Sequence, residues 1–176
     1  MKPVLAPALT AGAFVVMICA IAAVWLFQTV GGFVPCPLCL EQRTGYYIAI
    51  PLALVVLLVH RRAPTLARLL ALAAAVAVAW SAGLGVYHAG AEWGFWQGPS
   101  ACSGGGADIF DNPGGLLGSL ETEVVVSCTE VQGRLFGLSF AGWNVLSAGA
   151  AALLLLLAAA KGFTRPSAWA THPGPR

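Results

Sequence analysis

Residues 3–40 read PVLAPALTAGAFVVMICAIAAVWLFQTVGGFVPCPLCL and hold no charged side chain. A bilayer core about 30 Å thick takes about 20 mostly apolar residues as a helix. The stretch is therefore one span with a remainder. The span fits at about Pro7–Gln28, and the remainder ends in Cys36-Pro37-Leu38-Cys39. A cleaved secretory signal has an apolar region of only about 7–15 residues. The longer run here favours a retained helix.

The same test outward from this stretch finds three more spans, at about Thr44–Val59, Leu66–Tyr87 and Leu135–Ala160. Helices are the expected form, because lipid offers backbone amides no other partner short of a closed barrel. The runs lack the alternation of barrel strands. Across the chain 59% of the 176 residues are apolar and 9% are charged. A soluble domain carries about 25% charge, so a water-soluble enzyme is excluded. A disordered chain is excluded as well, being charge-rich and apolar-poor. The expected fold is an all-α membrane protein, a four-helix transmembrane bundle over residues 1–163. The Pro-rich tail 164–176 is expected to be disordered.

Lysine and arginine in short loops set orientation. Lys2, Arg61, Arg62, Arg68, Lys161, Arg165 and Arg176 fall on one side of the four-span arrangement, and only Arg43 and Arg134 on the other. Both termini are therefore expected in the cytoplasm. All seven acids, including Glu41 and Glu92, fall outside. The net charge of +2 thus hides a sidedness and gives no reason to expect nucleic acid.

The outer side has a short loop, 29–42, and a long one, 88–134; the inner turn 60–65 is basic. The long loop contains Gly104-Gly105-Gly106 and Asn112-Pro113, which favour turns. Leu116, Leu117, Leu120 and Val124 have helical spacing within it and fit a surface-lying amphipathic segment as well as an ordinary loop.

Five cysteines carry the chemistry. Cys19 lies inside the first span and reads as a small packing residue. The other four fall outside, where an oxidising compartment would favour disulfides. Cys102 and Cys128 read equally as a structural pair, which would limit a long loop. Cys36 and Cys39 form a C-x-x-C, too short a bridge to constrain an unfolded chain much. Its usual work is redox, since the second thiol resolves a mixed disulfide on the first. The spacing of the four does not match a zinc ribbon. Pro37 suits the first position of a helix. That places Cys36 near the N-cap and Cys39 in the first turn, at the positive end of the helix dipole. Arg43 follows Cys39 by four residues, on the same helical face. Dipole and guanidinium together are expected to favour a Cys39 thiolate. His88 ends the third span and either lies at the interface or takes part in the chemistry.

The run Cys36-Pro37-Leu38-Cys39-Leu40-Glu41-Gln42-Arg43, with a second cysteine pair in the long outer loop, resembles the DsbB family of disulfide-bond formation proteins. The resemblance covers essentially Pro7–Ala160. It implies a quinone-dependent protein-disulfide oxidoreductase of the bacterial inner membrane that reoxidises a periplasmic DsbA-like thioredoxin-fold partner. By the motif, Cys102 would form the mixed disulfide with the partner, and Cys128 would then engage Cys36. Cys39 would face the quinone, ubiquinone or menaquinone, with Arg43 and possible help from His88 binding it. A vitamin K epoxide reductase-like protein is a competing reading. There, however, the redox C-x-x-C follows the loop pair, whereas Cys36 and Cys39 come first. A non-enzymatic membrane protein with structural disulfides is the other alternative.

Overall fold

A computed structural model of the chain describes residues 5–98, 128, 129, 131 and 133–163. Four helices dominate it: α1 (Leu5–Thr29), α2 (Pro37–Val59), α3 (Pro64–Glu92) and α4 (Phe140–Lys161). Each is long and apolar enough to cross a membrane. They form a closed ring in which α1 packs on α2 and α4, and α3 packs on α2 and α4. The all-α four-helix bundle expected from the uncharged runs is the fold. The Cys102 position, the Leu116–Val124 segment and the tail 164–176 lie outside the described residues.

The interior is built from small side chains. Ala13, Ala49, Ala53, Ala74, Ala75, Ala148 and Ala151 are buried in one cluster with Met17, Val78 and Leu155. Large apolar residues such as Leu58, Val76, Trp80 and Leu153 point outward. In lipid no hydrophobic drive pulls large side chains inward, so helices associate by close packing of small ones. Cys19 is exposed on α1 rather than packed in the core.

Three boundaries differ from the apolar runs, each for a local reason. Helix α2 begins at Pro37, before Arg43, because Pro37 occupies its first turn and Cys36 its N-cap. The outer loop thereby shrinks to residues 30–36. Helix α3 continues past Tyr87 to Glu92. It ends where Gly94, at φ 75°, lets its own N–H reach the Ala91 carbonyl and the Phe95 N–H reach Gly90. This left-handed stop is one that glycine adopts without strain. Helix α4 begins at Phe140, not Leu135. Strands β1 (Arg134–Leu135) and β2 (Leu138–Ser139) pair first, around a tight turn with Phe136 and Gly137 both at positive φ. Ser139 then caps α4 by accepting from the Gly142 N–H at 3.2 Å.

Helices α2 and α3 approach closely at Gly45. A Cβ there would run into the Ala77 carbonyl oxygen and the Ser81 hydroxyl. One turn before Gly45, Ser81 donates to the Gln42 carbonyl at 2.6 Å. Asn144 of α4 donates to the Ser81 carbonyl at 3.0 Å, and Tyr46 of α2 donates to the Asn144 side-chain oxygen at 2.9 Å. These bonds tie three helices at one height, just below the outer end of the bundle.

Gly45→Ala tests this packing. In an open helix position the change stabilises by about 1 kcal/mol. At Gly45 the obstructing atom is backbone, so a loss of about 1–3 kcal/mol is expected instead. Gly83→Ala and Gly149→Ala, whose added carbon meets nothing within 4 Å, should not lower the melting temperature. Thermal unfolding in detergent measures all three. Equal behaviour of Gly45→Ala and the two controls would contradict the close approach.

Candidate active site

The start of α2 and the end of α3 bring the cysteine motif against His88. The Cys36 and Cys39 sulfurs are 3.3 Å apart, and both are free thiols. Cys36 is 2% exposed. His88, 4% exposed, lies against both: Nε2 is 3.8 Å from the Cys36 sulfur and Nδ1 is 3.9 Å from the Cys39 sulfur. The Gln42 amide Nε2 lies 2.9 Å from His88 Nδ1. That amide nitrogen can only donate, so Nδ1 accepts and the proton of a neutral ring sits on Nε2. Glu92, one turn further along α3, places Oε1 3.8 Å from the same Nε2.

Cys128 arrives from the far end of the long outer loop. It is disulfide-bonded and fully buried. It packs with Cys36 and Leu38 in a small cluster. One ring nitrogen of His88 and the sulfurs of Cys36 and Cys128 all lie within 4.8 Å of one another. Three such groups could ligate a metal ion, but a sulfur already in a disulfide is a poor ligand, because metals bind the thiolate. The same closeness suits thiol–disulfide exchange, in which one sulfur attacks another directly.

The Cys36 thiol is pulled down to about 4. The main cause is the hydrogen bond shared with the Cys39 sulfur; burial opposes this, and a hydrogen bond and charge at His88 assist. The sequence points instead to Cys39 as the anion, through Arg43. In the structure the Arg43 guanidinium donates to the Gln28 side-chain oxygen at 2.8 Å. Its hydrogen-bonded partner is thus on α1.

On the other side of Cys39 is a cleft of about 270 Å³ between α1, α2 and α4. Its wall is mostly apolar, including Ile21, Val24, Phe27, Phe33 and Phe140. Phe27, Phe33 and Phe140 pack against one another, with ring centroids 5.1–6.3 Å apart. Polar groups enter at two places. Arg43 and Gln28, bonded to each other, form one group with Gln42 beside them on the wall, and Tyr46, Asn144 and Ser147 form a second. Tyr46 Oη lies 2.8 Å from Ser147 Oγ. Cys36 and His88 do not line the cleft, so His88 addresses the dithiol and not the cavity.

The structure therefore brings together Cys36, Cys39, Arg43, His88 and Cys128. Gln28 and Glu92 join them without a signal in the sequence. Gln28 is an amide closing an apolar run, and Glu92 is one of seven outer acids. Gln42 was visible only as part of the motif.

The family model described as "Disulfide bond formation protein DsbB" matches residues 7–158. No curated protein and no solved structure matches the chain.

A group pulled down to about 4 is anionic above that value and loses its charge only as pH falls through it. Alkylation of Cys36 in the reduced protein should therefore hardly change in rate between about pH 6 and pH 8. An ordinary thiol, titrating near about 8.5, gains roughly tenfold per unit over much of that range. Peptide-level mass spectrometry after iodoacetamide treatment gives the profile, and His88→Ala should restore part of the ordinary slope. A tenfold rise per unit in the unaltered protein would refute the assignment.

Proposed function

The chain belongs to the DsbB family of disulfide bond formation proteins, and from that membership we propose that it oxidises a DsbA-like periplasmic partner and passes the electrons to a membrane quinone. Membership and the four spans make it a multi-pass membrane disulfide oxidoreductase. The observation that carries the finer reading is the position of Cys39, between the Cys36–Cys128 contact on one side and the apolar cleft on the other.

In this reading the partner's dithiol first reduces the Cys102–Cys128 pair, with Cys102 in the mixed disulfide. The Cys128 thiolate then attacks Cys36. A Cys36–Cys128 bond forms, the Cys36–Cys39 bond breaks, and Cys39 leaves with the electron pair. Each exchange trades one disulfide for another, so no outside oxidant enters until Cys39 is free. The short path from Cys128 to Cys36 supports this order.

The cleft fits a quinone by chemistry. A flat apolar ring with two carbonyl oxygens needs an apolar slot with few, well-placed donors. Arg43 supplies a charged donor on the cleft wall, and the second amide hydrogen of Asn144 supplies a donor at another place. A bound quinone supplies the two-electron, two-proton acceptor. The protein's own part is to hold the Cys39 sulfur at the cleft wall, to orient a carbonyl through Arg43, and to exclude water with Phe27, Phe33 and Phe140. Gln28 holds the guanidinium in place. We assign the redox loops to the periplasm, both termini to the cytoplasm and the bundle to the bacterial inner membrane; the 7-to-2 split of basic residues supports the orientation.

Purified protein should oxidise a reduced DsbA-like substrate only when quinone is supplied. Cys39→Ser and Cys102→Ser should each abolish turnover in protein that still inserts; continued activity of both would overturn the relay. Arg43→His should raise the apparent KM for quinone by about tenfold or more, the scale of losing one hydrogen bond from a charged donor. An unchanged KM would remove Arg43 from the site. An impermeant thiol label applied from outside after reduction should reach Cys102 but not Cys19 in the lipid-facing span.

A further inference from the structure

Glu92 has no part in the relay described above, yet it is placed as no incidental acid would be. Its side chain is 5% exposed, and Oε1 lies 3.8 Å from His88 Nε2. Its Oε2 is the one buried side-chain oxygen or nitrogen without a hydrogen-bond partner among the described residues. A buried carboxylate left partly unpartnered costs stability, and a neutral residue of the same shape would avoid that cost. Folding alone therefore gives no reason for an acid at this position.

The ring next to it supplies the reason. Gln42 holds His88 Nδ1 as an acceptor, which puts the ring proton on Nε2, between the Cys36 sulfur and the Glu92 carboxylate. Nδ1 takes a second proton when the Gln42 amide turns its oxygen toward the ring, and the Cys39 sulfur lies 3.9 Å from it. Taking that proton makes the ring a cation in a buried site. Among the described residues, the titratable groups facing the ring are Cys36 and Cys39 from the start of α2 and Glu92 from its own helix. The Cys128 sulfur is tied in a disulfide, and Arg43 is turned to Gln28 on α1.

We propose that Glu92 is a positioning residue for disulfide exchange: its carboxylate holds the positive charge of His88 while Nδ1 carries the proton of Cys39. This rests on the relay read above. In the resolving direction Cys39 gives its proton to Nδ1 and attacks Cys36. The Cys39–Cys36 bond forms, the Cys36–Cys128 bond breaks, and Cys128 leaves as the thiolate. In the opposite direction Cys39 is the leaving thiolate, and the charged ring meets it with the proton. Protons and electrons balance within the site in both directions. A carboxylate behind a histidine does the same work in hydrolytic triads, where it orients the ring and stabilises its charged form.

The test uses the full chain in detergent, labelled with nitrogen-15 at its three histidines. The His88 ring signals should move in Glu92→Gln toward those of a neutral ring protonated on Nε2, and Glu92→Asp should leave them as in the unaltered chain. In a second measurement, the oxidised chain is mixed rapidly with a reduced DsbA-like protein and quenched. The Cys36–Cys128 linked species should form about tenfold more slowly in Glu92→Gln, and within about threefold of the unaltered rate in Glu92→Asp. Thermal stability of Glu92→Gln should be unchanged or higher. Wild-type ring signals in Glu92→Gln overturn the proposal, and so does an unchanged rate of linkage. The nitrogen spectrum needs neither partner nor quinone. If no linked species forms even in the unaltered protein, it is the relay that fails, and the spectrum still decides what Glu92 does.

Discussion

The closeness of α2 and α3 at Gly45 sets the height of every group in the site. The two helices run antiparallel from the tight basic turn near residues 60–63. At about 1.5 Å per residue, Cys39 stands about 9 Å above Gly45 on α2. His88 stands about 10.5 Å above Ser81 on α3. The two rises nearly match, and so the imidazole meets both sulfurs and the Gln42 amide together. The Ser81–Gln42 hydrogen bond fixes the register between the helices, since a shift by one residue would break it. A side chain at Gly45 would separate the helices and move His88 away from the dithiol.

The same contact explains why the polar groups sit where they do. In a bundle whose interior is mainly alanine, a buried amide or hydroxyl must find its partner on a neighbouring helix. Ser81, Asn144 and Tyr46 satisfy one another across three helices. Tyr46 and Asn144 of this network also line the cleft. The apolar slot is therefore bounded by groups that also hold the bundle together.

The number and character of the helices were legible because uncharged runs of this length have one stable form in lipid. The Cys36 cap was legible too, because Pro37 marks a first turn. The helix ends at Glu92 and Phe140 were not. They depend on backbone devices, the left-handed Gly94 and the paired strands after Arg134, which leave no trace in hydropathy. The site shows the same division. The motif named Cys36, Cys39 and Arg43, and cysteine sidedness named Cys128. Only the fold shows that His88 turns toward the dithiol, that Gln28 takes the Arg43 guanidinium, and that Cys36 and Cys39 share a hydrogen bond. Those are partnerships between helices, and residues far apart in a single sequence carry no mark of which will meet.

Seen from Cys39, the two neighbourhoods of the site divide the chemistry. One holds the ionisable groups Cys36, His88 and Glu92 packed tightly beside the disulfide-bonded Cys128 sulfur. There protons and thiolates can be exchanged without water. The other is an apolar slot with one guanidinium at its edge. Thiol exchange needs a base and stabilised anions, whereas a bound aromatic acceptor needs a dry surface and a few donors. A single pocket would compromise both. Placing the sulfur of Cys39 in the wall between them, on the first turn of a helix anchored at Gly45, lets one atom serve two environments without either being rebuilt.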